Sequence, residues 1–446
     1  MMRHWGEQFR IMRLWLTPGM GVKRHVFVAV GGTILMIIGV ISSVLWILRT
    51  DREVISAPIE EVLVGNTWRS YGGWLSLFIV LVGVIIAISA VARLNRSLLS
   101  NWMSRPREAA LVLHERLTLS KGPRVVAIGG GSGLSNLLRG LRFYTSNVTG
   151  VVTVSDDGGS SGRLRTAFNM PAPGDLSDCL AALSDNESEV SRLLEYRFQR
   201  GNELQGHTFG NLMITTLTEV EGDFGKAIQT LNRILNLTGA VYPVTPEAVA
   251  LTAYKTSGER VVGESNVRNV PGAVQKVTIE PSQPSPTPEV IQEILSADLI
   301  VLGPGSLFTS TIPPLLIPAT RRALNSTRAK LVYVCNIMTE AGETDGFDAF
   351  DHVKAIFHHL GRYPDIVVVN STPVDEERQK RYREENAGVV SLNEAAFSRT
   401  GIVLEQVPLL GEGLHAQHDS QELARALITL AKVANGELKK TKVPLP

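Results

Sequence analysis

The chain of 446 residues carries 44 Lys and Arg side chains against 43 Asp and Glu side chains. This length predicts more than one structural unit, and the balanced charge gives no support for a nucleic-acid partner. The two cysteines, Cys179 and Cys335, lie far apart and outside any metal-ligand spacing. A disulfide scaffold and a zinc cluster are therefore excluded, and the chain fits a reducing compartment.

Two long apolar runs, residues 26–48 and 71–92, precede the rest of the chain. Each is long enough to cross about 30 Å of hydrocarbon as a helix, and neither has a charged residue in its interior. Trp46, Tyr71 and Trp74 lie near the ends of these runs, where interfacial aromatic residues are common. The sequence predicts a transmembrane hairpin that serves as an anchor.

Basic residues flank this hairpin on its outer ends, from Arg3 to Arg24 and from Arg93 to Arg107, whereas the loop between the runs mixes both charges. The positive-inside rule then places both termini in the cytoplasm and the main domain at the inner face of the membrane. We expect a membrane anchor over residues 1–106, the main cytoplasmic domain over residues 107–433 and a mobile tail over residues 434–446.

Apolar, β-branched runs alternate with amphipathic segments in the main domain. Predicted strands cover residues 151–154, 299–302, 331–335 and 366–370, and predicted helices cover 188–198, 224–235, 289–296 and 347–360. This alternation predicts an α/β fold with a parallel sheet and helices on both faces. The Pro-rich segment 281–289 is interpreted as a linker or an exposed crossover.

Two glycine-rich turns follow predicted strands, the first after the apolar run "RVVAI" and the second after residues 299–302. Glycine lets the backbone approach a phosphate closely, and a following helix offers free N–H groups. The imperfect fit to a dinucleotide fingerprint, with Leu134 at the third glycine position, and the absence of a P-loop lysine disfavour ordinary NTP hydrolysis. A tight turn without a ligand is the alternative. The candidate ligand-binding residues in these turns are Gly130, Gly131, Ser132, Gly133, Gly303, Gly305 and Ser306.

The segment "SDDGGSSGRLR" follows the strand predicted at 151–154. Asp156 and Asp157 could hold magnesium, orient a hydroxyl or act as a base on an attacking alcohol. The guanidinium groups of Arg163 and Arg165 suit phosphate oxygens. The alternative is an Asp-Gly turn with a solvated salt bridge.

Further polar residues lie at helix starts and strand ends. His207 and Asn211, four residues apart at a loop-to-helix junction, are candidate ligand contacts or structural residues. Asp175 and Asp178 suit the first turn of a helix without any ligand. Four more polar residues follow the strand that ends at Cys335, namely Asn336, Glu340, Glu343 and Asp345.

Five segments together resemble a known family: "GGGSGLSNLLRGL", "VTVSDDGGSSGRLR", "PGDLSDCLAAL", "GHTFGNLMI" and "LGPGSLFTST". They are similar to the YvcK-like gluconeogenesis factors, which belong with CofD, the 2-phospho-L-lactate transferase. The resemblance covers about residues 124–433 and leaves out the hairpin. It implies a Rossmann-like domain that binds a UDP-sugar, notably UDP-N-acetylglucosamine, and a role in cell shape and envelope synthesis during gluconeogenic growth.

The resemblance also implies roles for the candidate residues. The glycine turns would cradle a diphosphate, Asp156 or Asp157 would meet magnesium or a sugar hydroxyl, and Arg163 and Arg165 would neutralise phosphate charge. No bound organic cofactor is implied. A homodimer and cell-wall synthesis proteins are the expected partners.

Three functions stay open at this point. The first is a membrane-tethered regulator that binds a nucleotide sugar without turnover. The second is a magnesium-dependent phosphoryl-group transferase resembling CofD, in which Asp156 and Asp157 would be catalytic and Asp157 would hold the metal. The third is a plain membrane scaffold whose glycine turns are structural.

Overall fold

The computed structural model describes residues 22–50, 66–100, 109–185, 187–434 and 436. The chain divides into two compact units, Met1–Glu115 and Arg116–Pro446. The basic residues before residue 22, the loop 51–65 and most of the predicted tail 434–446 lie outside the described residues.

The first unit contains two long helices, α1 (Val22–Thr50) and α2 (Asn66–Ser100). Within them, Arg24–Leu48 and Tyr71–Asn95 are long and apolar enough to cross a membrane, by length and composition. These segments contain the apolar runs at 26–48 and 71–92, so the expected helices are present.

Small residues bring α1 and α2 into close contact. A Cβ added to Gly83 would lie 2.6 Å from the Met36 backbone N, and one added to Gly39 would lie 2.8 Å from the Val80 backbone N. The Ser43 hydroxyl donates to Ser76 Oγ at 2.8 Å. Close backbone approach at small residues is the packing mode of helices in lipid, where apolar burial alone gives no attraction between them.

The second unit is built on a seven-stranded parallel sheet in the order β10-β9-β8-β7-β1-β2-β3. Its strands are β1 (Val125–Gly129), β2 (Val148–Val152), β3 (Ala240–Pro243), β7 (Leu299–Leu302), β8 (Lys330–Val334), β9 (Ile366–Asn370) and β10 (Val403–Val407). A smaller antiparallel sheet has the order β5-β4-β6, formed by β4 (Ala250–Lys255), β5 (Arg260–Val262) and β6 (Val274–Glu280).

Helices occur before, between and after the strands of the two sheets. In chain order they are α3 (Ala109–Leu119), α4 (Gly131–Leu141), α5 (Gly159–Phe168), α6 (Gly174–Leu183), α7 (Glu187–Leu194), α8 (Phe209–Glu221), α9 (Phe224–Ile234), α10 (Glu264–Val267), α11 (Pro288–Ser296), α12 (Pro313–Leu316), α13 (Pro318–Ser326), α14 (Ala349–Leu360), α15 (Glu376–Glu384), α16 (Glu394–Phe397) and α17 (Ser420–Ala434). A π-helical turn at Leu307–Thr311 follows β7.

The central strands are buried along their whole length, as residues 125–129, 148–152 and 299–302 show. A parallel sheet covered by helices requires such continuous apolar strands, and the α/β prediction is confirmed. The strand predicted at 151–154 begins earlier, at Val148, because Thr149 and Gly150 are also buried in the sheet.

The Pro-rich segment 281–289 connects β6 to α11 and is largely exposed. Thr287 ties it to the sheet, because its hydroxyl donates to the Pro243 carbonyl at 2.6 Å. The segment leaves β6 of the small sheet and leads back to the large sheet, in which β7 pairs with β1. The segment is therefore an exposed crossover.

Candidate functional site

The chain reverses its direction of travel across the sheet between β1 and β7. From β1 the chain adds β2 and β3 on one side, and from β7 it adds β8, β9 and β10 on the other. Loops at the carboxyl ends of two such strands leave in opposite directions and open a crevice, which is where ligands bind in open α/β sheets. The glycine turns after β1 and β7 meet at this point.

A cavity of about 730 Å³ occupies this crevice. Loops after β1, β2, β7 and β8 contribute to it, together with α10 and the segment before α17. Its lining includes Gly130, Gly131, Ser132, Gly133, Asn136, Thr153, Asp156, Asp175, Glu264, Ser265, Arg268, Pro304, Gly305, Ser306, Thr309, Asn336, Glu340, Tyr382, Glu385, Gln417 and His418.

The turn after β1 presents the start of a helix to this cavity. Helix α4 begins at Gly131, and its N-cap residue Gly130 makes no side-chain capping bond. The first N–H groups of a helix have no partner within it, so Ser132 and Gly133 offer donors to an anion. Gly131 has φ +63°, a conformation that favours glycine.

The turn after β7 packs directly on the first turn. A Cβ added to Gly133 would lie 2.5 Å from the Pro304 carbonyl oxygen and 3.1 Å from the Gly305 backbone N. Gly303 and Gly305 have φ values of +74° and +154°. Only glycine at position 133 leaves room for these two backbone segments to approach so closely.

Carboxylates line another side of the cavity. Asp156 lines it and accepts a hydrogen bond from the Gly158 N–H at 2.8 Å. Burial and the nearby Asp156 carboxylate raise the pKa of Asp175 to about 7. The same two causes raise the pKa of Glu264 to about 7. Each carboxyl group makes it harder for its neighbour to lose a proton.

Asp157 does not line the cavity. Its carboxylate accepts a hydrogen bond from the Ser265 N–H at 2.9 Å and thereby holds the start of α10. Ser265 and its neighbour Glu264 do line the cavity. Asp157 therefore holds a lining segment in place without lining the cavity itself.

The two arginines of the "GRLR" segment also lie outside the lining. Arg163 donates to the Gln205 carbonyl at 3.2 Å, and Arg165 donates to the carbonyls of Ser155 and Val249. Backbone carbonyls thus engage both guanidinium groups. The structure does not bring them to the cavity with the glycine turns.

His207 and Asn211 bond to the start of α5. The His207 ring nitrogen Nδ1 and the Ser160 hydroxyl are 2.9 Å apart, and Asn211 Nδ2 donates to Ser160 Oγ at 3.1 Å. Asn211 Nδ2 also lies 3.4 Å from Ser161 Oγ. These contacts fix the segment that follows Asp156 and Asp157, which is the structural role left open by the sequence.

Several residues that line the cavity are not predicted from the sequence. Glu264 and Arg268 belong to the small antiparallel region, where no glycine signature or parallel strand end marks them. Tyr382, Gln417 and His418 come from segments far along the chain, and only the fold brings them to the cavity. Burial lowers the pKa of His418 to about 4, so this ring is neutral at pH 7.

The expected magnesium ion has a sparse set of protein ligands. Among the described residues, no group of three or more His, Cys, Asp or Glu side chains is arranged to hold a metal ion. Mg²⁺ is commonly held by one or two carboxylates together with substrate phosphates. Asp156 at the cavity wall fits that requirement better than Asp157, and magnesium binding stays a prediction.

Known proteins share this fold and sequence. The profile of the 2-phospho-L-lactate transferase CofD family matches residues 125–410. A crystal structure from Bacillus halodurans is 38% identical with a TM-score of 0.67, covering 69% of this chain and 100% of that one. The gluconeogenesis factor of Bacillus subtilis is 40% identical over 317 residues, which is 70% of this chain and 100% of the relative.

A gluconeogenesis-factor relative from Deinococcus radiodurans extends further along the chain. It is 43% identical over 435 residues, which is 94% of this chain and 90% of the relative. The match therefore reaches beyond the part shared with the Bacillus proteins, and the family resemblance expected from five motifs is confirmed. The chain belongs to the gluconeogenesis factor family, within the wider CofD-like fold.

Proposed function

We propose that this chain is a membrane-tethered protein that binds a nucleotide sugar and regulates cell shape and envelope synthesis during gluconeogenic growth. UDP-N-acetylglucosamine is the ligand we would test first. The observation that carries the proposal is the meeting of two glycine turns, after β1 and β7, at one cavity. Amide groups from both turns suit the oxygens of a diphosphate.

The volume and lining of the cavity support a ligand larger than a phosphate. About 730 Å³ is within the range of small-molecule sites in proteins. Beyond the glycine turns, the lining offers amide, carboxylate and aromatic groups from Asn336, Glu340, Gln417 and Tyr382. Such groups suit the hydroxyls and amide of an amino sugar.

Charge restricts how a diphosphate enters. Five carboxylates line the cavity, and Arg268 is the only Lys or Arg among its described lining residues. A diphosphate next to the carboxylates of Asp156, Asp175 and Glu264 is repelled unless protons on Asp175 and Glu264, or a divalent cation, reduce the negative charge. We therefore propose that the ligand binds with magnesium or with protonated wall carboxyls.

Calorimetry on the fragment 107–446 tests the proposal. The relatives that match about 70% of this chain over their whole length are the precedent for such a fragment. We expect a saturable heat of binding with UDP-N-acetylglucosamine and a weaker one with UMP. We expect no reaction product in the calorimeter cell. At 100 times the dissociation constant, the ligand should raise the free energy of unfolding by about 2.7 kcal/mol. No heat with any UDP-sugar, with or without magnesium, would contradict ligand binding.

A phosphoryl-group transferase is the second candidate, favoured by the CofD family match. An alcohol oxygen would attack the phosphorus distal to the nucleoside, the bridging P–O bond would break, and a nucleoside monophosphate would leave. Asp156, which lines the cavity, would accept the alcohol proton. This candidate requires magnesium-dependent release of a nucleoside monophosphate when donor and alcohol are both present, and loss of that release in Asp156→Asn.

Tethering, localisation and partners are part of the same proposal. Two helices long and apolar enough to span a bilayer support an anchor in the inner membrane, with the main domain in the cytoplasm. We also propose a homodimer and contact with cell-wall synthesis proteins. Fractionation tests the anchor: the full chain should sediment with membranes after a high-salt wash, and fragment 107–446 should not.

A further inference from the structure

Arg268 places a cation beside the second glycine turn. It follows α10 directly, and its guanidinium donates to Ser306 Oγ at 2.5 Å. It also pairs with the Glu340 carboxylate, and its Nε lies 3.7 Å from Glu343 Oε2. Since Ser306 ends the turn 303–306, the guanidinium lies where we place the phosphate end of the ligand.

The backbone of Arg268 is held firmly while its side chain is accessible. The buried Lys255 ammonium donates to the Val267 carbonyl at 2.8 Å and to the Gly272 carbonyl at 3.0 Å. A Cβ on Gly342 would lie 2.8 Å from the Arg268 carbonyl oxygen, so Gly342 packs against the Arg268 backbone with no room for a side chain. The Arg268 side chain itself is 53% exposed. A fixed backbone together with an accessible guanidinium suits a residue that binds a ligand.

Glu340 competes for this guanidinium. Its carboxylate also accepts hydrogen bonds from Ser306 Oγ at 2.8 Å and from Asn336 Nδ2 at 3.2 Å. Because the Arg268–Glu340 pair is partly solvated, holding it together adds little stability. A diphosphate offers the same guanidinium fork more charge and more acceptor oxygens. Exchange of one partner for the other is therefore favourable.

We propose that Arg268 binds the diphosphate of the ligand and releases Glu340 as it does so. This inference rests on the proposed function and names a phosphate-binding residue for its site, in place of Arg163 and Arg165. Glu340, once released, is free to accept a hydrogen bond from the ligand in the same cavity.

Variants on the two partners give effects of opposite sign. In fragment 107–446 we expect Arg268→Gln to weaken binding of UDP-N-acetylglucosamine by about 30-fold and Arg268→Lys to weaken it less, since a lysine keeps the charge without the fork. Glu340→Gln should tighten binding by about threefold, because one of the two carboxylates that pair with Arg268 loses its charge. Arg268→Gln should also flatten the salt dependence of binding.

Arg362→Gln is the matched control. Arg362 also pairs with a carboxylate, Asp365, at 2.7 Å, and it does not line the cavity. We expect this variant to bind like the unaltered fragment. Thermal unfolding without ligand checks that each variant is folded, and Glu340→Gln carries the test if Arg268→Gln does not fold.

The outcomes separate this inference from the proposed function. If the unaltered fragment binds UDP-N-acetylglucosamine and Arg268→Gln binds within threefold of it, the assignment of Arg268 is wrong and the proposed function stands. If Glu340→Gln weakens binding as much as Arg268→Gln does, the pair is structural and the exchange is wrong. If the unaltered fragment binds no UDP-sugar, the proposed function fails first and this inference fails with it.

Discussion

At the residue scale, protons decide how much negative charge the cavity wall carries. The pKa values of Asp175 and Glu264 are both raised to about 7 by burial and by Asp156. Small changes of pH near neutrality therefore change the charge that an entering diphosphate meets. This makes the site sensitive to pH without any histidine that titrates in that range.

Affinity for a UDP-sugar should fall as the pH rises from 6 to 8 in the absence of magnesium. The diphosphate diester keeps its charge over this range, whereas the wall carboxyls lose protons near pH 7. We expect a loss of about tenfold, measured by calorimetry at each pH. The double variant Asp175→Asn with Glu264→Gln should remove most of this dependence, and an unchanged slope in that variant would contradict the assignment.

The same two groups affect stability without ligand. Their folded-state pKa values lie above the unfolded ones, so the folded chain binds more protons between about pH 4 and pH 7. Their contribution to the free energy of unfolding is full below that window and is lost as the pH rises through it.

Gly133 lies where the two glycine turns pack against each other. A methyl group there would meet the Pro304 backbone, which cannot move as a side chain can. Gly133→Ala should cost about 1–3 kcal/mol of stability and weaken ligand binding by at least about tenfold, as measured by denaturation and calorimetry.

Gly388→Ala is the control for that change, because a Cβ at Gly388 meets nothing within 4 Å and its φ is ordinary. Equal ligand affinity in Gly133→Ala and the unaltered chain would show that the contact between the turns does not shape the site.

At the element scale, hydrophobic patterning predicts several strands of the large sheet and several helices. The helix predicted at 188–198 ends earlier, at Leu194, and the pattern does not predict the small antiparallel sheet. Leu299–Leu302 and Ile366–Asn370 coincide with predicted strands, and Phe224–Ile234 ends one residue before its predicted end. The glycine turns were predictable too, since close backbone approach leaves glycine in the sequence. Arg268 was not predictable, because its role depends on a loop of the small sheet reaching the large one.

Arg163 and Arg165 show the opposite case, in which residues that the sequence pattern favours for phosphate binding lie outside the cavity lining. Their spacing and charge suggest phosphate binding, but backbone carbonyls of Gln205, Ser155 and Val249 accept their hydrogen bonds. The sequence shows which side chains can bind an anion. It does not show which of those side chains donate their hydrogen bonds to backbone carbonyls in the fold instead.

The hairpin of α1 and α2 gives a test at this scale. Ser43 and Ser76 hydroxyl oxygens are 2.8 Å apart, so cysteines at both positions should form a disulfide when isolated membranes are oxidised. Adding Gly83→Val should abolish this crosslink, because the new side chain meets the Met36 backbone. Gly31→Val should leave the crosslink intact, since a Cβ there meets nothing within 4 Å. Crosslinking that survives Gly83→Val would contradict the close packing.

At the scale of the whole molecule, the strand order explains why residues so far apart in sequence meet. The turns at 130–133 and 303–306 are neighbours because β1 pairs with β7 at the point where the sheet reverses its order. Membership of the gluconeogenesis factor family fits this architecture, and the nucleotide-sugar proposal depends on the crevice that it opens.

Difference electron density from crystals of fragment 107–446 soaked with UDP-N-acetylglucosamine and magnesium would locate the ligand. A nucleotide-sugar site in the crevice requires two phosphate peaks between the amides of residues 132–133 and those of residues 305–306. Ligand density at another surface, with this crevice left to water at a saturating concentration, would contradict it.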